Sequence, residues 1–346
     1  SQSADLLKTI LRKDWGYQGF VMTDWFGGDN AVAQMAAGND LLMPGTPQQL
    51  IQIKQAVKNG QLDEKILDEN AANLLAVIRR TPAFKGHQPS NAPDLKKHAG
   101  VARQAAAEGM VLLKNAGNTL PLKRGMSIAG FGNHSYDLIS GGTGSGDVNE
   151  ASSADYAVIT IGRIAGEFAD RKTENDYYLS QTEQDLIRMV STAFRAKGKK
   201  VIAILNVGGV IEVASWRDQV DAVLLAWLPG QEAGNAIADI LSGKVNPSGK
   251  LPTSFLVRYE DDPTSEGFPG REYGEPIFLG FTTARPAEIE YKEDVYVGYR
   301  AFDKRNITPA YEFGFGLSYT TFSYTRLKLS ASSFKNKISA SVVITN

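Results

Sequence analysis

The residue pair best suited to chemistry is Asp24-Trp25, in which a carboxylate and an indole stand side by side after the apolar run Phe20-Val21-Met22. One interpretation is structural, because an aspartate that ends a strand commonly caps the turn that follows it. The other interpretation is catalytic: the carboxylate would attack a sugar while the indole supplies a flat apolar surface for the sugar ring. The local residues leave both interpretations open.

A second carboxylate, Glu167, lies in the loop that follows a predicted strand at 156–162. The carboxyl ends of strands are where open α/β sheets bind ligands. Phe168, next to Glu167, would raise the pKa of that carboxyl by partial desolvation and would so favour a proton donor. The alternatives are a solvated loop acid or an ion pair with Arg163 or Arg171.

Composition excludes several other chemistries. The chain of 346 residues has no cysteine and a formal charge of -1, so it offers no thiol and no basic excess to attract nucleic acid. No apolar run reaches the roughly 18 residues that a membrane-spanning helix needs. The histidines have no spacing typical of a zinc site, and we expect neither a metal nor a cofactor. They are His87, His98 and His134.

The glycine-rich segment Gly141–Asp147 has the sequence GGTGSGD. Its glycines do not have the spacing of a dinucleotide fingerprint, and it lacks the Gly-Lys-Ser/Thr of a phosphate-binding loop. Ser145 also lacks the GxSxG environment of a nucleophilic serine. The segment instead indicates a loop whose hydroxyls and amides reach a ligand.

The first 80 residues alternate between helical and strand patterns. Predicted strands at 19–22 and 40–43 are separated and followed by amphipathic helices. Two strands cannot close a barrel, so this region resembles the last quarter of a (β/α)8-type barrel, in which the active site lies at the carboxyl ends of the strands. The predicted helices cover 3–14, 29–38, 48–60 and 63–80.

Residues 81–94 are rich in proline and polar side chains and predict a linker. The region 95–320 then alternates strands with helices, which indicates a mainly parallel sheet with helices on both faces. A helix is predicted over 98–115. Another begins after Ser180, where Glu183 completes a capping box.

The connection between the predicted strands 127–132 and 156–162 contains no helical pattern. Parallel neighbours need a crossover of a dozen or more residues, usually a helix. Either these strands are not parallel neighbours, or a segment is missing near 149–152, which we favour. Two alternating strands in 321–346 predict the start of a truncated β-sandwich.

Several motifs together resemble glycoside hydrolase family 3. They are GFVMTDW and AAGNDLLMPG near the start, AAAEGMVLLKNAGNTLPL, the GTGSGD loop, GQEAGNAIADILSGKVNPSGKLPTSF, EDVYVGYRAFD and PAYEFGFGLSYTTF, in the order that the family has. The resemblance implies an α/β fold: the end of a (β/α)8-type barrel (1–80), an α/β sandwich (95–320) and the first strands of a fibronectin-III-like domain (321–346).

The resemblance also implies roles for individual residues. Asp24 corresponds to the nucleophile of the TDW motif, and Glu167, in GRIAGEFADR, to the general acid/base. Trp25 would line the subsite that holds the departing sugar residue, Ser145 would approach the sugar from the second domain, and Phe168 would contact substrate. If Glu167 is not the acid, Asp170 and Glu174 are the alternatives.

The expected function is that of a retaining, exo-acting β-D-glucosidase, because Trp follows the nucleophile in the family's glucosidases. A β-xylosidase or a non-catalytic carbohydrate-binding relative is the alternative. The expected partner is a carbohydrate, with no nucleic acid and no membrane span, and a homodimer is left open. We also expect a requirement for the N-terminal half of the barrel, which this sequence lacks, and a periplasmic or secreted location.

Overall fold

A computed structural model describes residues 1–132, 135, 154–166, 170–278 and 283–346 of the chain. The chain divides into two compact units. Unit 1 comprises Ser1–Pro93 with Gly274–Pro286, and unit 2 comprises Asp94–Tyr273 with Ala287–Asn346.

Unit 1 is mainly helical, and each α-helix described in it begins at a residue whose side chain accepts a hydrogen bond from a backbone N–H of the first turn. Thr46 forms a capping box with Gln49 at the start of α2, and Asn30 and Asp63 cap α1 and α3. The elements are a π-helix at Asp5–Asp14, α1 at Ala31–Ala37, α2 at Pro47–Lys58 and α3 at Glu64–Ile78. Their small core is centred on Met35, Ala56 and Leu62.

The two strands predicted in unit 1 run parallel side by side, but they are shorter and more open than expected. They meet as a single parallel bridge between Met22 and Leu41. Met22 is 48% exposed, so the expectation that the strand predicted at 19–22 is buried is wrong. Among the described residues, Leu41 is the only partner bridged to Met22, and a strand without covered faces cannot bury its side chains.

Unit 2 is built on a mainly parallel sheet, as predicted. Among the described residues, five strands form it in the spatial order β1-β5-β4-β3-β2, with β1 antiparallel to β5 and the other pairs parallel. The strands are β1 Val111–Asn115, β2 Ile128–Phe131, β3 Tyr156–Arg163, β4 Lys200–Val207 and β5 Ala222–Leu225.

Helices cover both faces of this sheet, and its central strands are mostly apolar. Alternate residues of β4 point to opposite faces. Val201 and Leu205 pack with α5, whereas Ile202 and Ile204 pack with α4 and α6. The helices are α4 Leu95–Gly109, α5 Gln181–Arg195 and α6 Ala233–Leu241.

In unit 2, one predicted element is wrong, and one of two alternatives for a strand connection is excluded. The helix predicted over 98–115 ends at Gly109, and Val111–Asn115 is the edge strand β1, because its apolar side chains complete the sheet core. The strands β2 and β3 pair directly and run parallel. This excludes the alternative in which the predicted strands 127–132 and 156–162 are not parallel neighbours. Most of their connection lies outside the described residues, and the missing segment near 149–152 stays a prediction.

The remaining elements are short or peripheral. The pairs β6–β9 and β7–β8 are antiparallel, and the tail forms an antiparallel hairpin, β10–β11, whose residues are all exposed. They are β6 Arg271–Glu272, β7 Ile277–Phe278, β8 Thr283–Ala284, β9 Ala287–Glu288, α7 Tyr299–Arg305, β10 Ser323–Leu329 and β11 Ala340–Thr345. The fibronectin-III-like assignment and the other domain boundaries stay predictions.

Candidate active site

The segment that carries Asp24 is fixed from beneath by Thr23. Thr23 is buried, and its backbone N–H donates to the Leu41 carbonyl at 3.0 Å. Its hydroxyl oxygen accepts the Met43 N–H at 2.9 Å. The threonine of the TDW motif therefore joins the two parallel strands at the point where the first of them ends.

Asp24 itself is exposed, and its carboxylate is oriented by the chain that follows. Its Oδ1 accepts the Trp25 N–H at 2.9 Å, and its carbonyl accepts the Gly27 N–H at 3.0 Å. Phe26 adopts a φ of 62°, a left-handed conformation that costs a bulky residue about 1–3 kcal/mol. This turn leaves the Trp25 indole 56% exposed beside the carboxylate.

A buried carboxylate, Asp40, ties the Asp24 segment to the helices around it. Its side chain has 0% exposure, and its Oδ2 accepts from Arg12 Nη2 at 2.5 Å and from the Val21 N–H at 2.6 Å. Its Oδ1 accepts from the Asn73 amide at 2.9 Å. Each of these donors offsets part of the cost of burying the charge. Asp40 thus links the π-helix, the Asp24 strand and α3.

In unit 2, the chain leaving β3 is anchored by an ion pair. Arg163 donates two parallel hydrogen bonds to Glu183, each at 2.7 Å. Glu183 also accepts from Ser180 in the capping box, which confirms the predicted helix start. Burial would raise the pKa of Glu183, but Arg163 and the Ser180 N–H outweigh burial and hold that pKa below its usual range.

The loop between β3 and α5 is also folded onto itself. Arg171 donates to Asp176 Oδ1 at 2.6 and 2.9 Å and to the Val210 carbonyl at 3.0 Å. Thr173–Tyr177 forms a π-type turn in which the Tyr177 N–H donates to the Lys172 carbonyl at 3.0 Å. Within the described part of the chain, Arg163 and Arg171 therefore neutralise Glu183 and Asp176.

The predicted site residues fall into two groups. Asp24 and Trp25 are described and adjacent, in unit 1. Glu167, Phe168 and Ser145 lie outside the described residues, so their roles and the separation of Glu167 from Asp24 stay predictions. The alternative acids Asp170 and Glu174 are both exposed, in unit 2.

Sequence reasoning missed Asp40, which it placed within an apolar strand. The available signal was a charged residue at the start of the run Asp40-Leu41-Leu42-Met43. A carboxylate in such a run is buried only with partners. Arg12 and Asn73, which supply them, are far away in sequence, and no local pattern points to either.

Comparisons with known proteins identify the family. The model of the glycosyl hydrolase family 3 N-terminal domain matches residues 1–77. The model of the glycosyl hydrolase family 3 C-terminal domain matches residues 145–319. The chain belongs to glycosyl hydrolase family 3. The resemblance carried by the TDW, GTGSGD and other motifs is confirmed.

Three family members illustrate the similarity. The structure of β-glucosidase 3B from Thermotoga neapolitana in complex with glucose superposes with a TM-score of 0.85 at 42% identity, covering 96% of this chain and 54% of that one. A family 3 β-glucosidase structure from Bifidobacterium adolescentis gives a TM-score of 0.82 at 29% identity, covering 100% and 54%. The thermostable β-glucosidase B of Acetivibrio thermocellus is 32% identical, covering 95% and 47%.

The chain therefore spans about half the length of these family 3 relatives. Within the described ranges, no helix combines the length and apolar character needed to cross a bilayer. The same residues contain no group of three or more histidine, aspartate or glutamate side chains that could hold a metal ion.

Proposed function

We propose that this chain carries the nucleophile and the acid/base of a retaining, exo-acting β-D-glucosidase. The observation that carries the proposal is the exposed Asp24 carboxylate beside an exposed indole, in a segment whose family is known. The glucosidase names of the relatives support the substrate class. The release of terminal glucose and the retention of configuration belong to the proposal.

In the first step, the ionised Asp24 attacks the anomeric carbon while Glu167 gives its proton to the departing glycosidic oxygen. This forms a covalent glycosyl-enzyme and frees the rest of the substrate. In the second step, ionised Glu167 takes a proton from water, which displaces Asp24 from the same carbon. Two inversions give net retention, and the mechanism needs the two carboxyls about 5–5.5 Å apart.

The two carboxyls must start the reaction in different protonation states. Asp24 must be ionised to attack, and its Oδ1 is oriented by a hydrogen bond from the Trp25 N–H at 2.9 Å. Glu167 must begin protonated, for which the neighbouring Phe168 offers a partly desolvating apolar group. The indole of Trp25 would form the wall of the glucose subsite, and Ser145 would hydrogen-bond the sugar.

Activity is proposed to depend on the six barrel strands that the family resemblance places before residue 1. The experiment compares chain 1–346 alone with the same chain joined to that segment of the Thermotoga enzyme, using nitrophenyl glycosides. We expect turnover of the β-glucoside, slower turnover of the β-xyloside, and almost none by the chain alone. Faster xyloside cleavage would instead make this a xylosidase, and full activity of the chain alone would contradict the dependence on the barrel segment.

In the joined protein, the roles of nucleophile and general acid can be distinguished, because loss of each affects turnover of substrates with good and poor leaving groups differently. Asp24→Ala should abolish turnover, and added azide should restore it with an inverted glycosyl azide as product. Glu167→Ala should spare substrates with good leaving groups and strongly slow those with sugar leaving groups. Equal losses for both classes would exclude Glu167 as the acid and favour Asp170 or Glu174.

A further inference from the structure

Helix α1, which follows the Asp24 segment, has a glutamine among its buried residues. Gln34 is 1% exposed, and the other buried residues of this helix are apolar. The backbone of Gln34 is fixed at both ends of its peptide units. Its N–H donates to the Asn30 carbonyl at 2.9 Å, and its carbonyl accepts from the Asn39 amide at 2.9 Å. The Gln34 side chain therefore starts from a rigid position.

This side chain reaches the turn that follows Asp24. The Gln34 Nε2 donates to the Gly27 carbonyl, and the Gly27 N–H donates to the Asp24 carbonyl at 3.0 Å. A Cβ placed on Gly27 would lie 3.2 Å from the Asp24 Cβ, so the Gly27 backbone packs directly against the Asp24 side chain. A shift of Gly27 is therefore transmitted to Asp24.

The turn between Asp24 and Gly27 needs such support, because its residues do not favour it. Phe26, its third residue, has a φ of 62°, a conformation that turns usually assign to glycine or asparagine. A strained conformation of this kind persists only where the surroundings hold it. The Phe26 N–H donates to the Met43 carbonyl at 3.1 Å, and Gln34 holds the carbonyl of the next residue.

The Gln34 amide also carries a cost. Its Oε1 is buried and has no hydrogen-bond partner among the described residues. A buried acceptor without a partner destabilises the fold, and an apolar side chain of the same shape would avoid that cost. Packing alone therefore does not account for a glutamine at this position, whereas its contact with Gly27 does.

We propose that Gln34 is a positioning residue for the attack by Asp24, an inference that rests on the proposed function. Its amide fixes the Gly27 carbonyl, and Gly27 in turn fixes the carbonyl and the Cβ of Asp24. The Asp24 carboxylate is thereby aimed at the anomeric carbon. Attack requires a closely defined geometry, and a displacement of about 1 Å can slow a reaction about a hundredfold.

The first test isolates the attack by Asp24 from proton transfer. The joined protein is mixed with 2,4-dinitrophenyl 2-deoxy-2-fluoro-β-D-glucoside, from which dinitrophenolate departs without protonation as the carboxylate bonds to C1. Gln34→Met keeps the length of the side chain and removes its N–H donor. It should lower the limiting rate of inactivation about ten- to a hundredfold. The reagent concentration that gives half of this rate should change less than about twofold, because Gln34 is buried and does not contact the sugar.

The mass of the labelled protein separates positioning from a merely structural role. A structural role would lower the fraction of molecules that become labelled and leave the rate of the reacting molecules unchanged. Positioning lowers that rate and leaves the labelled fraction complete. Gln55→Met makes the same substitution at an exposed position of α2 and should change neither quantity.

Two outcomes of this test are distinct. An unchanged rate in Gln34→Met, with the label still on Asp24, would overturn the role of Gln34 but leave Asp24 as the nucleophile. Absence of any label in the unaltered joined protein would reject the proposed function itself, together with the positioning role that rests on it.

The second test approaches the same contact from Gly28. Gly28 has a φ of 91°, and a Cβ placed there would overlap the Gln34 Nε2. Gly28→Ala should therefore displace the amide and lower the limiting rate of inactivation about tenfold. In Gln34→Ala the shorter side chain leaves room for the added methyl, so Gly28→Ala should lower the rate less than about threefold, through backbone strain alone.

Equal losses from Gly28→Ala in the two backgrounds would overturn the proposal, since the effect would then not pass through the Gln34 amide. If Gln34→Ala does not fold, the result for Gln34→Met decides.

Discussion

Two strand segments of similar composition have very different surroundings in this protein. In β4 of unit 2, Ile202 and Leu205 each have 0% exposure, because helices cover both faces of the sheet. In unit 1, Met22 is 48% exposed, and its strand is paired through one bridge. The first arrangement provides stability, whereas the second leaves a carboxylate accessible to a ligand. The two strands therefore differ in how far neighbouring elements cover them.

The largest effect is expected in the core of unit 2. Phe194 has 0% exposure and meets Phe131 edge to face at 5.9 Å. Phe194→Ala should lower the free energy of unfolding of unit 2 by about 3–5 kcal/mol, because it removes buried area and leaves a cavity. This change in free energy is measured by urea unfolding, monitored by the fluorescence of the buried Trp216. Phe334→Ala, at a position 70% exposed, is the control and should change this free energy by less than about 0.5 kcal/mol.

The second prediction concerns Asp40, a buried charge on which the Asp24 segment of unit 1 depends. Asp40→Asn should destabilise unit 1 by about 3 kcal/mol, because it leaves Arg12 without its buried partner. Hydrogen exchange of peptides covering 17–24 should become faster, while peptides from β4 stay protected. Asp68→Asn, at an exposed position of α3, should change neither. Equal deprotection of β4 would contradict a role for Asp40 that is confined to unit 1.

The third prediction is a pH dependence in unit 2. The folded-state pKa of Glu183 is lowered from 4.5, so folding favours its ionised form, and this contribution is present above about pH 4.5 and is lost as the pH falls through the folded pKa. Glu183→Gln should lower the free energy of unfolding of unit 2 by about 1–3 kcal/mol at pH 7. The variant should also lose less stability than the unaltered chain as the pH falls below about 4.5. Asp185→Asn removes an exposed pair with Arg188 and should cost less than about 1 kcal/mol. A stability–pH curve for Glu183→Gln with an unchanged slope would contradict the ion-pair account.

The smallest stability effect is expected at Trp25. Its indole is 56% exposed, so Trp25→Ala should change the free energy of unfolding by less than about 0.5 kcal/mol. The same substitution should raise KM for the β-glucoside in the joined protein by about tenfold, since a sugar-binding wall is lost. Thermal unfolding and steady-state kinetics measure the two effects. A large loss of stability with unchanged KM would make Trp25 a structural residue.

Sequence patterns correctly predicted the features that depend only on residues close together in the chain. The capping box at Ser180 and Glu183 and the apolar strand predicted at 156–162 need only neighbouring residues, and both are confirmed. The 98–115 prediction was wrong because Val111–Leu113 carries an apolar run compatible with helix or strand, and pairing with β5, more than a hundred residues away, decides between them. Asp40 was missed for the same reason, since its partners are distant in sequence.

The candidate site was predictable to a similar extent. The carboxylate of Asp24 and its neighbour Trp25 could be selected because the apolar run before them marks a strand end. The degree of exposure could not be predicted, because it depends on which elements cover the strand. The support from Thr23, which bonds to both Leu41 and Met43, required the structure.

The central claim is that Asp24 forms a bond to the sugar. The most direct measurement treats the joined protein with 2,4-dinitrophenyl 2-deoxy-2-fluoro-β-D-glucoside, whose glycosyl-enzyme hydrolyses slowly, and maps the labelled peptide by mass spectrometry. We predict one fluoroglucosyl group on Asp24 and no label in Asp24→Ala. A label on another carboxylate, or inactivation without any covalent adduct, would contradict the assignment of Asp24 as the nucleophile.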